Sequence, residues 1–292
     1  MAHKIEWLNR PGTVGETWSP VTGCTPISEG CAHCWARRMA KRLAGRFGYP
    51  ADDPFAVTLH PDKLYVPYHW QKPRTVFVCS MGDLFHEVVP GRYIERVFDV
   101  TAQTPRHTYL ILTRRPDRAF EWCCNTGRMP RPNIWLGVTA ENQEQADRRI
   151  PVLLQIPAAV HFVSIEPMLG PVALHPYIMH QRDRAPGEVG PISDYGPALS
   201  WVIVGGESGP GARPLHPRWA RDVRYQCIDA GVPFFFKQWG KWLPIARASS
   251  NWTTDQLHKY QVFDDTVYAK VGKARAGHLL DGQEWHQWPV LL

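Results

Sequence analysis

Six short apolar runs, each ending in polar residues and most followed by a helical pattern, limit what this chain can fold into more than any other feature. Residues 75–79 lead to Ser-Met-Gly-Asp and a helix expected near 91–102. Residues 107–113 lead to Arg-Arg-Pro and a helix from Pro116, where proline suits the first turn. Residues 133–138 precede Thr-Ala-Glu-Asn and a helix near 143–154, and residues 159–165 run into Glu166-Pro167. Residues 201–204 end in Gly-Gly-Glu-Ser-Gly-Pro-Gly before a helix near 217–230, and residues 232–236 end in Lys237-Gln238-Trp239. Runs with so few alternating polar positions predict strands buried on both faces, hence a parallel sheet covered by helices. With a weaker run before Cys24, they predict an α/β chain folded as a partial or near-complete parallel (β/α) barrel. The barrel is expected over residues 1–242. A Pro-, Gly- and Asp-rich stretch at 175–200 reads as a lid-like insertion. Residues 243–292 lose the rhythm and are expected to pack on the barrel as a C-terminal extension, as strands.

The 292 residues are 44% hydrophobic and 21% charged, enough for a full core and incompatible with wholesale disorder. No run approaches the ~18 apolar residues of a membrane span, and the N-terminus has no apolar signal region, so a cytoplasmic protein without membrane contact is expected. Lys and Arg exceed Asp and Glu by 33 to 27. That excess suits a polyanionic partner such as DNA, RNA or a nucleotide, and equally a moderately basic enzyme. The 13 tryptophans could stack on bases or fill the core.

The seven cysteines form an odd number without an export signal, which speaks against a disulfide framework. Cys24, Cys31 and Cys34 lie within eleven residues, whereas Cys79, Cys123, Cys124 and Cys227 are scattered and read as small buried apolar residues. Thiolates are soft ligands for zinc or iron–sulfur clusters. The last cysteine of the trio opens a helix over 35–43, whose N-terminal dipole favours the thiolate. A four-iron cluster held by three cysteines leaves one iron open for a substrate or cofactor. The alternative is a closed zinc site completed by a histidine such as His33 or His60.

The segments Trp18-Ser-Pro-Val-Thr-Gly-Cys24, Cys31-Ala-His-Cys34, Val78-Cys-Ser-Met-Gly-Asp-Leu-Phe-His86, Leu112-Thr-Arg-Arg-Pro116, Trp135-Leu-Gly-Val-Thr139, Phe162-Val-Ser-Ile-Glu-Pro167, Val204-Gly-Gly-Glu-Ser-Gly-Pro-Gly-Ala-Arg-Pro214 and Phe235-Phe-Lys-Gln-Trp-Gly240 carry a resemblance. Together they make the chain similar to the phage-associated three-cysteine family of radical S-adenosylmethionine-like proteins, over roughly residues 4 to 242 and not the tail. The resemblance implies a barrel of the radical S-adenosylmethionine type with a [4Fe-4S] cluster on Cys24, Cys31 and Cys34. It further implies S-adenosylmethionine on the open iron, a 5′-deoxyadenosyl radical, and an electron donor such as flavodoxin or ferredoxin. The usual cysteine spacing of these enzymes is Cys-x3-Cys-x2-Cys, and here the first gap is six. By the same resemblance, Ser80-Met81-Gly82-Asp83 stands where those enzymes carry Gly-Gly-Glu, with Asp83 accepting from the methionyl ammonium. Gly205-Gly206-Glu207 has the same letters but comes after a late strand, so that role is not carried to it.

The remaining candidates sit after the predicted strands. Ser80 and Asp83 read as cofactor contacts or as a helix N-cap pair. Thr139 and Glu141 could hold ribose hydroxyls, with Thr139 equally a cap, and Glu166 reads as a cofactor or substrate contact beside Ser164. The glycine-rich turn 205–211 could cradle a phosphate but lacks the Lys-Ser/Thr of a Walker loop. Arg114, Arg115, Arg213 and Lys237, with Glu207, form a charged rim that suits an anionic substrate, although any one could be a surface ion pair. His86 and His107 read as core or capping residues. No Ser-His-Asp order and no H-E-x-x-H motif supports hydrolysis. These features are expected of a radical S-adenosylmethionine enzyme that modifies or repairs a nucleic acid or nucleotide. The alternative is a zinc- or iron–sulfur-stabilised protein that binds nucleic acid or senses redox state without radical catalysis.

Overall fold

A computed structural model of the chain describes residues 5–128, 131–178, 192–193, 196–245 and 260–290. Seven strands form its main sheet: β1 (Val14–Trp18), β2 (Arg74–Val78), β3 (Thr108–Thr113), β4 (Ile134–Thr139), β5 (Val160–Ile165), β6 (Trp201–Gly205) and β7 (Phe234–Gln238). All six pairings are parallel, and the order in space is the order in the chain. The sheet curls into a half-barrel, and among the described residues β7 does not pair with β1. The connections carry helices α1 (Trp35–Arg42), α2 (Gly91–Gln103), α3 (Pro116–Thr126), α4 (Gln143–Leu153) and α5 (Pro217–Ala230). These match the sequence expectations within a few residues because the stop signals are local. Helices α3 and α5 each begin with proline and end on a left-handed glycine, Gly127 (φ 63°) and Gly231 (φ 67°). Helix α4 begins where the Asn142 side chain accepts from Gln145 N at 3.0 Å.

Both faces of the sheet are buried, as the unbroken apolar runs require. On the convex face Val76, Ile111, Leu136, Val163, Val204 and Phe236 meet the helices through Ile94, Trp122, Ile150 and Val223. On the concave face Leu110, Trp135, Phe162, Trp201, Ile203 and Phe235 converge on Trp7 and Leu8, supplied by the short helical turn Glu6–Leu8. Trp201 stands at the centre, its ring 6.1 Å from Trp7, 5.9 Å from Trp135, 5.7 Å from Phe162 and 6.3 Å from Phe235. Among the described residues seven tryptophans are core residues, counting Trp18, Trp122, Trp239 and Trp242 with Trp7, Trp135 and Trp201. Gly137 of β4 makes this packing possible, since a Cβ there would fall 2.5 Å from the Phe162 ring.

The C-terminal segment is stitched into the half-barrel. Strands β8 (Trp242–Ile245), β9 (Tyr260–Phe263) and β10 (Thr266–Lys270) form an antiparallel sheet in the order β8-β10-β9. The chain then returns to β7: Phe236 N donates to Trp285 O (2.8 Å) and Gln287 N to Phe234 O (3.2 Å). Trp201 Nε1 donates to Gln287 O and Trp288 Nε1 to Trp7 O, each at 2.9 Å. The tail therefore covers the edge that β7 would otherwise expose and seals the concave core. The lid-like insertion expected at 175–200 lies largely outside the described residues. Its described ends meet where Leu199 N donates to Tyr177 O at 2.9 Å, beside buried Ile178 and Leu199. Among the described residues no helix is long and apolar enough to cross a membrane.

Gly137→Ala is expected to cost about 1–3 kcal/mol by forcing the Phe162 ring out of place. In a Phe162→Ala background the same change should cost less, because the clash is gone. Urea unfolding of the four proteins of this cycle measures the coupling, and strict additivity would contradict the packing described.

Candidate functional site at the mouth of the half-barrel

The loop carrying Cys24, Cys31 and Cys34 crosses the C-terminal ends of the strands and is anchored by the turns after β2, β3, β4 and β6. The first anchor is backbone. Gly23 N donates to Met81 O (2.9 Å) in the turn after β2, and Cys24 N to Phe55 O (3.2 Å). Gly23 admits no side chain, because a Cβ would lie 2.1 Å from Ala56 O.

The second anchor is Arg115, buried after β3. Its Nη2 donates to Thr25 O (3.1 Å) and Thr25 Oγ1 (3.0 Å), its Nη1 to Cys24 Sγ (3.3 Å) and Asp83 Oδ2 (3.4 Å), and its Nε to Glu87 Oε1 (2.8 Å). Asp83 also accepts from Phe85 N, Thr113 Oγ1 and Arg114 N at 2.8–3.1 Å. No helix begins directly after Asp83; α2 starts at Gly91. Its carboxylate thus fastens the turn after β2 to the turn after β3 and aims Arg115 at Cys24, instead of capping a helix as one reading of the sequence expected. Ser80 lies half-buried in the same turn. Buried His86 joins in through Nε2 and Thr25 Oγ1 at 2.9 Å, and buried His107 contacts Pro67 O, so both are structural residues as expected.

The third anchor is Glu141, fully buried after β4. Gly30 N donates to its Oε1 at 3.2 Å and Arg149 Nη1 to its Oε2 at 3.0 Å, while Arg149 also donates to Thr139 O at 2.7 Å. A Cβ on Gly30 would touch the Glu141 carboxyl carbon at 2.9 Å, so the loop approaches only as glycine. Next door Asn142 Nδ2 donates to Glu29 Oε1 at 2.9 Å. Burial opposes the Glu141 charge, but the Ser28 hydroxyl and the Arg149 and Arg114 guanidiniums outweigh it and hold the carboxyl below its ordinary range. Thr139, buried at the end of β4, enters this network through its carbonyl.

The fourth anchor comes after β6. Arg213 pairs with Glu207 (Nε to Oε2 2.9 Å, Nη2 to Oε1 2.8 Å) and reaches Glu29 O at 3.2 Å. Arg38 of α1 donates to Ser208 O at 3.2 Å, and the His33 ring lies where a Cβ on Gly211 would be. The glycine-rich turn 205–211 therefore seats the cysteine loop. Beside it Lys237 pairs with Glu166 at 3.1 Å, and Ser164 Oγ donates to Glu166 Oε2 at 3.2 Å. Three of the four expected rim cations, Arg115, Arg213 and Lys237, are thus neutralised within the protein. Arg114 spans the mouth, with Nη2 3.5 Å from Glu166 O and its Nε buried without a partner among the described residues.

The three thiols differ. Burial and then Asp83 push the Cys24 thiol up to about 11, against the pull of Arg115. Burial also opposes ionisation of Cys31, but Arg114 and hydrogen bonds from Ile27 and Ser28 hold that thiol below its ordinary value. Cys24 and Cys34 pack on one small cluster with Met81 and Phe55. Among the described residues two triads of His, Asp and Glu each bring their ligating atoms within 4.8 Å of one another, and the cysteines are in neither. One zinc with ~2.3 Å bonds would draw its sulfurs to about 4 Å from one another. Cys24, Cys31 and Cys34 do not meet that spacing as a set, and among the described residues they form neither a closed single-ion site nor a clear cluster-binding group. His60, one zinc candidate, is occupied by Thr22 Oγ1 at 2.8 Å. Cys79, Cys123 and Cys227 are buried thiols with raised pKa, Cys79 to about 12 and Cys123 to about 11, whereas Cys124, expected to be buried with them, is exposed on α3.

Glu141→Gln leaves Arg149 buried without its counter-charge and should cost about 3–5 kcal/mol in denaturant unfolding. In the native protein the contribution of Glu141 is complete above its ordinary value of 4.5 and lost as pH falls through the depressed folded value. The variant should therefore lose part of the acid limb of the stability profile. An unchanged acid limb would show that the carboxylate is not the tether.

Neither a curated protein nor a solved structure matches the chain. A family described as "Protein of unknown function (DUF5131)" matches residues 2–289, including the tail that covers β7. The chain belongs to this family.

Proposed function

We propose that the chain is a radical S-adenosylmethionine enzyme in which Cys24, Cys31 and Cys34 hold a [4Fe-4S] cluster. The observation that carries the reading is the three-cysteine loop laid over the C-terminal mouth of a parallel half-barrel, the face where such folds place their chemistry. When bound, the cluster would supply the electron, delivered by a protein such as flavodoxin or ferredoxin, that cleaves S-adenosylmethionine reductively. The protein's own residues act around it. Arg115, aimed by Asp83, donates to Cys24 Sγ and favours its thiolate. Glu141 and Arg149 fix Gly30 between the first two cysteines. Glu166, held by Lys237 and Ser164, presents a half-buried carboxylate for an amino or hydroxyl group of a ligand. The aromatic floor of Trp135, Phe162 and Trp201 closes the other end and excludes water.

The substrate in this reading is a nucleic acid or nucleotide. Support comes less from the paired rim than from α1 and the turn after it. Residues 30–51 contain Arg37, Arg38, Lys41, Arg42 and Arg46 and no acid. Trp35 (49% exposed) and Phe47 (73% exposed) stand among these cations, as stacking platforms do on proteins that bind single strands.

Anaerobic reconstitution should give about four irons and four sulfides per chain, and Ala at Cys24, Cys31 or Cys34 should abolish them. Ala at Cys79, Cys123, Cys124 or Cys227 should leave them intact. One zinc and no sulfide in protein purified without air would replace this reading by the zinc-stabilised alternative. Binding of single-stranded oligonucleotides should weaken with salt at a log–log slope near −0.7 per phosphate contacted, and Arg42→Ala with Arg46→Ala should flatten it. Binding that ignores salt would point to a small-molecule or peptide substrate.

A further inference from the structure

Away from the cysteine loop, the tail gathers a second set of ligating side chains. A donor atom of His278, one of Glu284 and one of His286 all lie within 4.8 Å of one another. His278 Nε2 is 3.2 Å from Glu284 Oε2, and His286 Nδ1 is 2.7 Å from Glu284 Oε1. Ligands at ~2.1 Å from a tetrahedral ion sit about 3.4 Å apart, so an ion asks only for a small spreading of this set.

The side chains are held before any ligand arrives. Strands Leu279–Leu280 and Gln283–Glu284 form a hairpin closed by Asp281 and Gly282, both with positive φ (56° and 77°), the conformation of a tight two-residue turn. Arg221 Nε and Arg224 Nη1 each donate to the Asp281 carboxylate at 2.8 Å, pinning the turn to α5. The His286 ring lies flat on Phe235 of β7 (4.3 Å, 7° between planes), and the His278 ring stacks on His286 at 5.2 Å. His278 also lines a cavity of about 370 Å³ shared with Lys237, Gln238 and the Glu6–Lys273 ion pair.

We propose that His278, Glu284 and His286 bind a late first-row divalent metal ion such as Zn²⁺, at a site separate from the cysteine loop. Two imidazoles and a carboxylate suit zinc, copper, nickel or cobalt better than magnesium or calcium. Three protein ligands leave a coordination position open, and the adjoining cavity has room there for water or a small anion beside Lys237. The ion ties the hairpin to the residue that stacks on β7, so it strengthens the cover over that edge. The other ligating triad, His216 with Asp264 and Asp265, differs in kind: His216 Nδ1 accepts from Arg218 N as a helix cap and Nε2 faces Asp265 and Thr266. Its ring is already spent.

The test is an anaerobic Co²⁺ titration of the full chain. Cobalt on thiolates gives intense near-ultraviolet charge-transfer absorption, whereas cobalt on imidazole and carboxylate gives only weak visible bands. The expected result is one equivalent of the weak-band class, with a melting temperature raised by about 5 °C at saturation. His278→Ala and Glu284→Gln, both at exposed positions, should each weaken that class at least tenfold and leave the thiolate class unchanged. His286→Ala should abolish it; if that variant unfolds, the two exposed variants decide. Cobalt bound only with thiolate bands, or the weak-band class surviving in both exposed variants, overturns the proposal. Because the two classes are read separately, failure here is distinct from failure of the cluster reading.

Discussion

The buried pair of Glu141 and Arg149 holds the architecture of the mouth together. A carboxylate and a guanidinium removed from water are unfavourable singly and tolerable only when each finds complementary charge and hydrogen bonds. Here Arg149 satisfies itself on Glu141 and on the Thr139 carbonyl, while the other Glu141 oxygen takes the amide of Gly30. Strand β4, helix α4 and the cysteine loop therefore share one electrostatic knot. Remove it, and the middle of the loop loses its contact with the sheet. The anchors on either side, Arg115 and Arg213, use the same device of a guanidinium shared between a carboxylate and loop carbonyls.

Below that polar layer the concave face is aromatic. Trp201 and its neighbours fill a space that an open seven-stranded sheet would otherwise leave to water, and Trp7 and Trp288 enter from the two ends of the chain to complete it. This division of labour lets one strand serve two purposes. Its first half packs an apolar floor, and its last residues supply the polar groups of the mouth: Leu110 before Thr113, Trp135 before Thr139, Phe162 before Ser164. The family match over residues 2–289 agrees with the packing, since the tail belongs to the same core as the strands.

The strand and helix boundaries were legible because their causes are local. Proline at first turns, glycine at helix ends and unbroken apolar runs need no knowledge of the rest of the chain. Most candidate residues at the strand ends do gather at the mouth, as placement after parallel strands requires. Their partners were not legible. Nothing near Glu141 in the sequence indicates that it meets Gly30, 111 positions away, or that Arg149 will be buried with it. Arg115 and Lys237 looked free in sequence because the carboxylates that neutralise them, Asp83 and Glu166, lie on other loops, whereas Glu207 shares the turn of Arg213.

Sequence alone determined the parallel α/β sheet, the burial of both its faces, the grouping of Cys24, Cys31 and Cys34, and the polar character of the strand ends. All of these arise from periodicity and residue type within short windows. Tertiary structure decided which charges are spent internally, how the loop is suspended over the mouth, and that the tail closes the β7 edge and brings His278 beside His286. Those outcomes depend on pairs far apart in the chain, where the energy of a contact is set by burial and by what else competes for the same atoms.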